Sequence, residues 1–301
     1  MCALSRQCEN CDMTEEISTR LLARLRRSVT TAASYLYSKQ SDNGGFCFFK
    51  YGDFDRPNLR DTYHAVTALR LYGLEVPRVA ELLEFLRGAN RDDVTRLYYH
   101  AFVLQELPGG RLASSDMARI RALPLPPMDV GAETDSDRRL KRILRTLALQ
   151  QRFAAITDPA SARSMVKALV HDGANGDRAN LRETCSSLKI LTLLGEDLSR
   201  HHDSRELVDA LQRPSTGFAE MVNSQYCNLE IIVAGVQCCS LLDLPIRYVA
   251  DILQFVLACQ STDGSFSRVP AALPDIAFTH QAMQIIGWLV PDLLPGGKSF
   301  Q

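Results

Sequence analysis

The chain has 301 residues, of which 46% are hydrophobic and 23% are charged, and its formal net charge is −1. This ordinary globular balance leaves no overall field that would attract nucleic acid or an anionic membrane surface. No stretch approaches the roughly 20 apolar residues of a membrane span, and the nine cysteines lie mostly in apolar stretches, so we expect a cytoplasmic protein with reduced thiols.

The two ends of the chain are expected to be tails around one domain that spans 15–295. Residues 1–14 are polar and charged without an apolar core, which excludes a signal peptide and indicates a flexible tail. Cys8 and Cys11 have the spacing of metal ligands, but no second pair follows nearby, so a tail is preferred over a zinc site. Residues 296–301 are expected to form the C-terminal tail.

Periodic apolar positions predict alternating helices along the whole chain, with no persistent strand pattern. We expect them at 15–39, 59–73, 76–89, 93–107, 113–122, 137–155, 159–172, 179–195, 203–212, 223–243, 245–260 and 275–290. The odd-numbered helices carry more charge and are predicted to form an outer ring, while most even-numbered helices are apolar and would line the inside.

Two stretches depart from this scheme. The sixth helix begins with the basic run Arg138–Arg142, which we interpret as a solvated helix face. The stretch 123–136 just before it is Pro-rich and acidic and is predicted to be a surface loop.

A repeat of a helix, a short turn and a second helix is visible at two places. The segment VAELLEFL at Val79–Leu86 lies 170 residues before VADILQFV at Val249–Val256, and every aligned pair is identical or chemically similar. Agreement over consecutive positions at this distance indicates that the chain is built from a repeated structural unit.

A short element of the form Gln-x-x-x-Gly-x-Phe also recurs. It occurs at Gln40–Phe46 and Gln260–Phe266, and Gln212–Phe218 is a degenerate copy whose glycine comes one place late. The glutamine can hydrogen-bond an exposed helix end, the glycine permits a left-handed turn, and the aromatic ring anchors the loop in the core. About six helix pairs follow along the chain, and pairs that curve through a full circle make a closed toroid.

These elements, together with the helix opening DTYHAVTAL at Asp61, resemble the repeats shared by terpenoid cyclases of the squalene-cyclase type and protein prenyltransferase β-subunits. In the cyclases the element ends in Trp and is called the QW motif, whereas here it ends in Phe. The resemblance implies an all-α (α/α)6 toroid with inner and outer rings of helices. It also implies terpene biosynthesis or related isoprenoid chemistry, but the repeats are structural and specify no reaction.

Class II cyclases protonate their substrate with the middle Asp of a D-x-D-D motif at the mouth of an inner helix. The nearest match is Asn90-Arg91-Asp92-Asp93, in which Asn replaces the first Asp. Asp92 and Asp93 are therefore candidate catalytic acids by resemblance. The alternative is that they cap the following helix and interact with its dipole.

Protein prenyltransferases instead hold zinc through an Asp-x-Cys pair and a later His. Tyr226 and Asn228 occupy the positions of that pair here, so we do not expect zinc, although a shifted site of Cys227 and His280 stays open. No pattern requires a cofactor, and Mg²⁺ would accompany a diphosphate substrate.

The N-terminal ends of the inner helices should gather at one mouth of the ring, where polar side chains are candidates for function. His64, His100 and His280 take similar places in their helices and are predicted to converge there. Asp61 lies three residues before His64 on the same helix face, so its carboxyl is the preferred general acid, and Asp275 beside His280 is a second candidate. The other polar candidates are substrate-binding residues: Tyr98, Tyr99, His100, Glu183, Tyr226 and Asn228.

Aromatic residues at the same helix starts could stabilise a carbocation by cation–π attraction. The candidates are Tyr63, Tyr98, Tyr99, Phe102, Tyr226 and Phe278. Because Trp288 is the only tryptophan, this lining would be thinner than in a triterpene cyclase and would suit a smaller substrate.

Three functions remain open. The first is an isoprenoid-processing enzyme, either a class II-like cyclase that starts by protonation or a related enzyme that acts on a prenyl diphosphate. The second is a non-catalytic toroid whose apolar cavity binds an isoprenoid, a lipid or a partner's ligand. The third is a prenyltransferase-like chain that needs a helical partner subunit. The apolar inner helices predict an apolar cavity that takes prenyl chains, and a failure to bind any of them would favour the partner-binding alternative.

Overall fold

A computed structural model describes residues 18–51, 54–125, 136–173 and 180–296 of the chain. Within these ranges the chain forms twelve α-helices. In order, they are α1 (Thr19–Ser38), α2 (Leu59–Leu71), α3 (Val79–Gly88), α4 (Val94–Glu106), α5 (Ser114–Arg121), α6 (Ser136–Phe153), α7 (Pro159–Gly173), α8 (Leu181–Leu193), α9 (His202–Ala210), α10 (Leu229–Leu241), α11 (Val249–Ala258) and α12 (Ile276–Leu289). Short 3₁₀ turns at Leu198–Arg200 and Pro291–Leu293 follow α8 and α12.

The even-numbered helices form a closed inner ring. Helix α2 packs against α4, and the contacts continue in order through α6, α8 and α10 to α12, which packs against α2. Odd-numbered helices pack on the outside of this ring: α1 and α11 contact α12, α5 contacts α6, α7 contacts α8, and α9 contacts α10. The predicted all-α toroid with inner and outer helices is therefore confirmed.

The burial of each helix follows from its place in the outer or the inner ring. The outer helix α1 buries Leu21, Leu25, Ser28, Ala32 and Leu36, which recur every three or four residues and so lie along one stripe. The inner helix α12 is buried almost all round its circumference, as expected for a helix that has neighbours on several sides. Side chains of an inner helix that keep partial exposure away from its ends must therefore face the space inside the ring, which we call the lumen.

The glutamine of each repeated element hydrogen-bonds the next outer helix. The Gln40 amide donates to Pro77 O just before α3 (2.7 Å), and the Gln212 amide donates to Pro245 O just before α11 (3.1 Å). The Gln260 amide donates to Ser28 O within α1 (3.0 Å), and the Ser28 hydroxyl donates back to Gln260 Oε1 (2.7 Å). This last contact joins the end of α11 to α1 and closes the outer ring.

The glycine and the aromatic residue of each element are required for the same contact. Gly264 has a positive φ of 91°, and a Cβ there would lie 2.2 Å from Thr31 O in α1. The degenerate copy behaves likewise, since a Cβ on Gly217 would lie 2.1 Å from Ile252 of α11. The three aromatic rings are fully buried: Phe46, Phe218 and Phe266.

Among the described residues there are two small antiparallel hairpins, although no strand was expected. They pair β1 (Lys50–Tyr51) with β2 (Phe54–Asp55), and β3 (Gln212–Arg213) with β4 (Gly217–Phe218). The second hairpin is part of the repeated element, because Gln40–Phe46 and Gln260–Phe266 form isolated bridges with the same spacing as Gln212–Phe218. In each element the turn brings the phenylalanine back beside the glutamine, so these two residues pair although the sequence has no strand pattern.

Several helices are shorter than predicted. Helix α10 begins at Leu229 rather than at 223, because Asn228 accepts a hydrogen bond from Ile231 N (3.0 Å) and caps the helix there. Helices α3 and α11 begin only after Arg78 and Tyr248, which both adopt left-handed backbone conformations at the same place in the repeat.

The N-terminal tail 1–14, with Cys8 and Cys11, lies outside the described residues, as does most of the C-terminal tail. In the part of the chain that the structure describes, every helix is too short or too polar to cross a membrane.

Ring closure can be tested with two glycines that both have positive φ. Gly264→Ala should lower the free energy of unfolding by about 3 kcal/mol or more, because strain of the left-handed backbone is joined by overlap with α1. Gly195→Ala, at a similar φ with nothing near its Cβ, should lose only about 1 kcal/mol. Equal losses in urea denaturation would contradict the closure contact.

Candidate functional site

Ion pairs gather the N-terminal ends of the inner helices at one end of the ring, which we call the mouth. Arg60 of α2 contacts Asp275 at the start of α12 (3.2 Å). Arg182 of α8 contacts Glu220 in the loop before α10 (2.5 Å). Glu230 of α10 contacts Arg268 in the loop before α12 (2.7 Å). Arg60, Arg182 and Glu230 lie in the first turn of their helices, and each partner lies at or before the start of the next inner helix, so these neighbours are joined at the mouth.

A cavity of about 1030 Å³ opens at the mouth between α2, α4 and α6. Its wall includes three arginines, Arg60, Arg96 and Arg142, and one acidic residue, Asp93. Apolar surface comes from Phe85, Tyr99 and the segment Leu123–Leu125, so the beginning of the predicted surface loop is part of the wall. The cavity therefore combines a cationic lining with aromatic and aliphatic surface.

Two histidines meet between α2 and α12. His64 Nδ1 and His280 Nδ1 are 2.9 Å apart, although the residues are 216 positions apart in the sequence. His64 is partly exposed and borders the lumen, whereas His280 is 4% exposed and its Nε2 has no hydrogen-bond partner among the described residues. We call these two residues the histidine pair.

Burial determines the protonation of the histidine pair. It lowers the pKa of His280 to about 3. Burial, followed by the neighbouring His280, lowers the pKa of His64 well below its usual value. Both imidazoles are therefore neutral at pH 7, so one Nδ1 donates its hydrogen and the other accepts it. A proton added to the pair would be held weakly, which makes the protonated pair a stronger acid than an ordinary imidazolium.

Aromatic rings surround the histidine pair on the side of α2 and α4. The Tyr63 ring centroid is 5.1 Å from His64, 6.2 Å from His280 and 4.9 Å from Tyr99. Tyr98 and Phe102 extend the group, with their ring centroids 4.4 Å apart. Tyr63, Tyr98, Tyr99 and Phe102 together form what we call the aromatic wall. Tyr99 also lines the mouth cavity, so the wall connects the cavity to the histidine pair.

Arg145 of α6 contacts the aromatic wall at Tyr99. It donates to Thr95 Oγ1 (3.0 Å) and to the Tyr99 hydroxyl (3.3 Å), and its guanidinium lies 5.5 Å from the centre of the Tyr99 ring. Arg145 was not among the candidates from the sequence, since it lies three residues beyond the basic run Arg138–Arg142. In that run Arg138 and Arg142 are exposed, as expected of a solvated face, and Arg142 also lines the cavity, whereas Arg139 is buried.

Asp61 does not pair with His64 as expected. Its carboxylate accepts hydrogen bonds from Phe48 N (2.9 Å) and Asn58 Nδ2 (2.9 Å), and it contacts Arg60 (3.4 Å). These donors point the buried carboxylate back toward the loop before α2. Asp61 therefore fixes that loop, and the partner of His64 is His280.

His100 does not converge with the other two histidines. Its Nε2 lies 3.1 Å from Leu86 O of the outer helix α3. Counted from the first residue of each helix, His64 is sixth, His100 is seventh and His280 is fifth. Each step of one residue rotates a side chain by about 100°, so these positions are not equivalent.

Two threonines show which positions of α2 and α12 correspond to each other. Thr62 Oγ1 accepts from Phe46 N and Thr279 Oγ1 accepts from Phe266 N, both at 3.0 Å. His280, one residue after its threonine, therefore corresponds to Tyr63.

Two of the three acidic candidates at the helix starts cap a helix. Asp93 is the N-cap of α4 and accepts from Arg96 N (2.9 Å), whereas Asp92 is exposed and does not cap. Asp275 is the N-cap of α12, where it accepts from Ala277 N (2.9 Å) and pairs with Arg60. Of these three, Asp93 lines the mouth cavity.

Three of the remaining candidates lie at or just before the starts of α8 and α10. Glu183 accepts the hydroxyl of Ser136 at the mouth between α6 and α8. Asn228 is 1% exposed and caps α10, while Tyr226 stands 48% exposed in the loop before it. Phe278 is partly buried and packs against the main core.

The residues of the shifted zinc site have different neighbours. Cys227 Sγ is 3.6 Å from Thr216 O, whereas His280 contacts His64. Within the described ranges, no group of three His, Cys, Asp or Glu residues is arranged to hold a metal ion.

A closed double ring of helices, with charged groups gathered at one mouth above an aromatic interior, defines the protein as an α/α toroid. The chain matches the prenyltransferase alpha-alpha toroid domain over residues 17–105 and 129–289, and it belongs to that family. No curated protein matches the chain. The family confirms the expected resemblance and relates the chain to isoprenoid-processing enzymes.

The low pKa of His280 predicts a loss of stability at mildly acidic pH. Below its unfolded value of about 6.5 the unfolded chain binds a proton that the folded chain excludes, so stability falls with pH down to about 3. The slope is up to about 1.4 kcal/mol per pH unit for this residue. In urea denaturation between about pH 7 and 5, the free energy of unfolding of His280→Gln should fall less steeply with pH than that of the wild type.

The matched control is His202→Gln on the exposed side of α9, which should leave the slope unchanged. An unchanged slope in His280→Gln would mean that the buried imidazole is not excluded from protonation.

Proposed function

We propose that the protein is an isoprenoid-processing enzyme that carries out a class II-like cyclisation of a prenyl diphosphate. The observation that carries this proposal is the histidine pair, whose nitrogens are 2.9 Å apart beside an aromatic wall that continues into an arginine-lined cavity. A site of this kind can bind an anion, hold a hydrocarbon against aromatic faces and move a proton, which are the requirements of the reaction.

The mouth cavity would bind the diphosphate. Arg60, Arg96 and Arg142 present guanidinium groups, which bind phosphate oxygens through strong charge-assisted hydrogen bonds. The N-termini of α2 and α4 open on the same cavity and favour negative charge. Asp93 would contribute a carboxylate to Mg²⁺ in exchange for its ion pair with Arg96 (3.3 Å), since Mg²⁺ is usually held by one or two carboxylates together with substrate phosphates.

The aromatic wall would hold the chain and stabilise positive charge on it. The faces of Tyr63, Tyr98 and Tyr99 lie next to the histidine pair, where a carbocation would form. Burial raises the pKa of Tyr63 well above its usual value and also raises that of Tyr98. The phenols of Tyr63 and Tyr98 therefore stay neutral and would not capture the cation as phenolates.

The histidine pair would transfer the proton. In its protonated form, His64 gives the proton on Nε2 to an alkene carbon: the N–H bond and the π bond break, a C–H bond forms, and the neighbouring carbon becomes cationic. Another double bond of the chain then attacks this carbon and closes a ring. A C–H bond beside the final cation breaks to form an alkene, and its proton returns to His64. His280 shares the charge through the Nδ1 contact.

This assignment predicts different effects of removing His64 and Asp61. His64→Asn should lower turnover of geranylgeranyl or farnesyl diphosphate by about 10²–10⁴-fold at saturating substrate. Asp61→Asn should lower stability through its lost loop contacts but keep most of the turnover of the folded protein. Because only a small fraction of the pair is protonated at pH 7, turnover should also rise as the pH falls toward 5.

The reverse result, with Asp61 essential and His64 dispensable, would restore Asp61 as the acid. Stable binding without turnover by the isolated chain would favour a second function, a toroid that acts with a partner. Exposed hydrophobic side chains in the loops around the mouth favour that alternative, above all Phe49 at 63% and Leu273 at 86% exposure.

Binding at the mouth can be tested separately from catalysis. The double variant Arg96→Gln/Arg142→Gln should raise the Kd for geranylgeranyl diphosphate by about tenfold or more, since each arginine would lose a charge-assisted hydrogen bond. The Kd for geranylgeraniol, which has no diphosphate, should stay the same. The control is Arg26→Gln on the exposed face of α1. Equal affinity of wild type and double variant in calorimetry would place the diphosphate elsewhere.

A further inference from the structure

The inner helices present one ring of side chains to the lumen in their third turn. The ninth residue is Thr67 in α2, Phe102 in α4, Lys189 in α8, Gln237 in α10 and Gln284 in α12. All five are partly exposed. They lie away from the N-terminal ends of their helices, and the outer ring encloses these helices, so the exposure is to the lumen. At 1.5 Å rise per residue, this layer lies roughly 12 Å below the mouth.

The layer has two chemically different sides. On α4, Phe102 continues the aromatic wall. On the consecutive helices α8, α10 and α12, the residues Lys189, Gln237 and Gln284 are all hydrogen-bond donors, and we call them the donor wall. An enzyme that bound only a hydrocarbon would have no use for such a wall, because polar groups in contact with an apolar chain lose hydrogen bonds to water.

The contacts of the donor wall leave donors unused. Gln237 Oε1 accepts from Lys189 Nζ (3.2 Å) and from Cys185 Sγ (3.4 Å). The carbonyl of Gln237 is thus occupied, while its amide and the other hydrogens of the Lys189 ammonium remain available. Within the described residues, Lys189 makes no ion pair with a carboxylate. The Lys189 ammonium is directed across to α10, where it meets the carbonyl of Gln237.

We propose that the donor wall binds a carboxylate at the far end of the ligand, so that the substrate is an isoprenoid with an anionic group at each end. This rests on the proposed function, in which the mouth arginines take the first anionic group. Lys189 would supply the charge and Gln237 and Gln284 the amide donors, in an arrangement that offsets the cost of placing an ammonium inside the ring. The apolar chain between the two groups would lie against the aromatic wall.

The test uses straight-chain acids, which need no isoprenoid chemistry. Titration calorimetry would compare α,ω-dicarboxylic acids with monocarboxylic acids of the same length, over a series of chain lengths. The wild-type protein should bind a dicarboxylate at least tenfold more tightly than its monocarboxylate at one optimal length. Lys189→Met should remove this preference while leaving the monocarboxylate Kd unchanged, and Lys189→Arg should retain it.

Lys141→Met is the matched control, because Lys141 is on the neighbouring inner helix α6 and its ammonium already pairs with Asp137 (2.6 Å). This variant should keep the preference for the dicarboxylate. Absence of the preference in the wild type, or its persistence in folded Lys189→Met, would overturn the proposal.

A parallel titration with farnesyl diphosphate separates this inference from the proposed function. If farnesyl diphosphate binds but the protein shows no Lys189-dependent preference for the dicarboxylate, the donor-wall site alone would be overturned. A Lys189-dependent preference without farnesyl diphosphate binding would support the donor-wall site and overturn the prenyl diphosphate function.

Discussion

The structure depends on one repeated contact, in which a glutamine at the end of an outer helix hydrogen-bonds the next outer helix. Gln40 and Gln212 each reach the residues just before the following outer helix, and Gln260 reaches Ser28 in α1. The contact needs a close approach, which is why glycine occupies the turn and a side chain there would overlap the neighbouring helix. Because the last of these contacts joins α11 to α1, local turns become a closed ring rather than an open array.

Closure of the ring produces the candidate site. His64 and His280 belong to the first and last inner helices, and they contact each other only because α12 packs against α2. The ion pair between Arg60 and Asp275 joins the same two helices at the mouth. Once the ring is closed, the aromatic wall of α2 and α4, the arginines of the mouth and the histidine pair lie around one interior. Their arrangement is compatible with an anionic headgroup above and a reactive hydrocarbon below.

The interior is more polar than a simple prenyl-binding cavity. The expectation of an apolar lumen describes the α2 and α4 side, but Lys189, Gln237 and Arg145 place donors on α6, α8 and α10. In a low-dielectric environment such groups are costly unless they are paired. The same environment lowers the pKa of both histidines and raises the pKa of Tyr63 and Tyr98, so burial keeps these four side chains neutral.

The sequence by itself determined the helices, their alternation between outer and inner ring, and the repeated Gln–Gly–Phe element, because periodicity, turns and caps depend on residues that are close along the chain. It also brought forward Tyr63, Tyr98, Tyr99, His64 and His280. The tertiary structure alone decided which of the candidates meet. A shift of one residue turns a helical side chain by about 100°, so His100 faces α3 while His64 faces His280. Asp61 turns to the loop at Phe48, and Arg145 to Tyr99, because the positions of those partners depend on how distant helices pack around the closed ring.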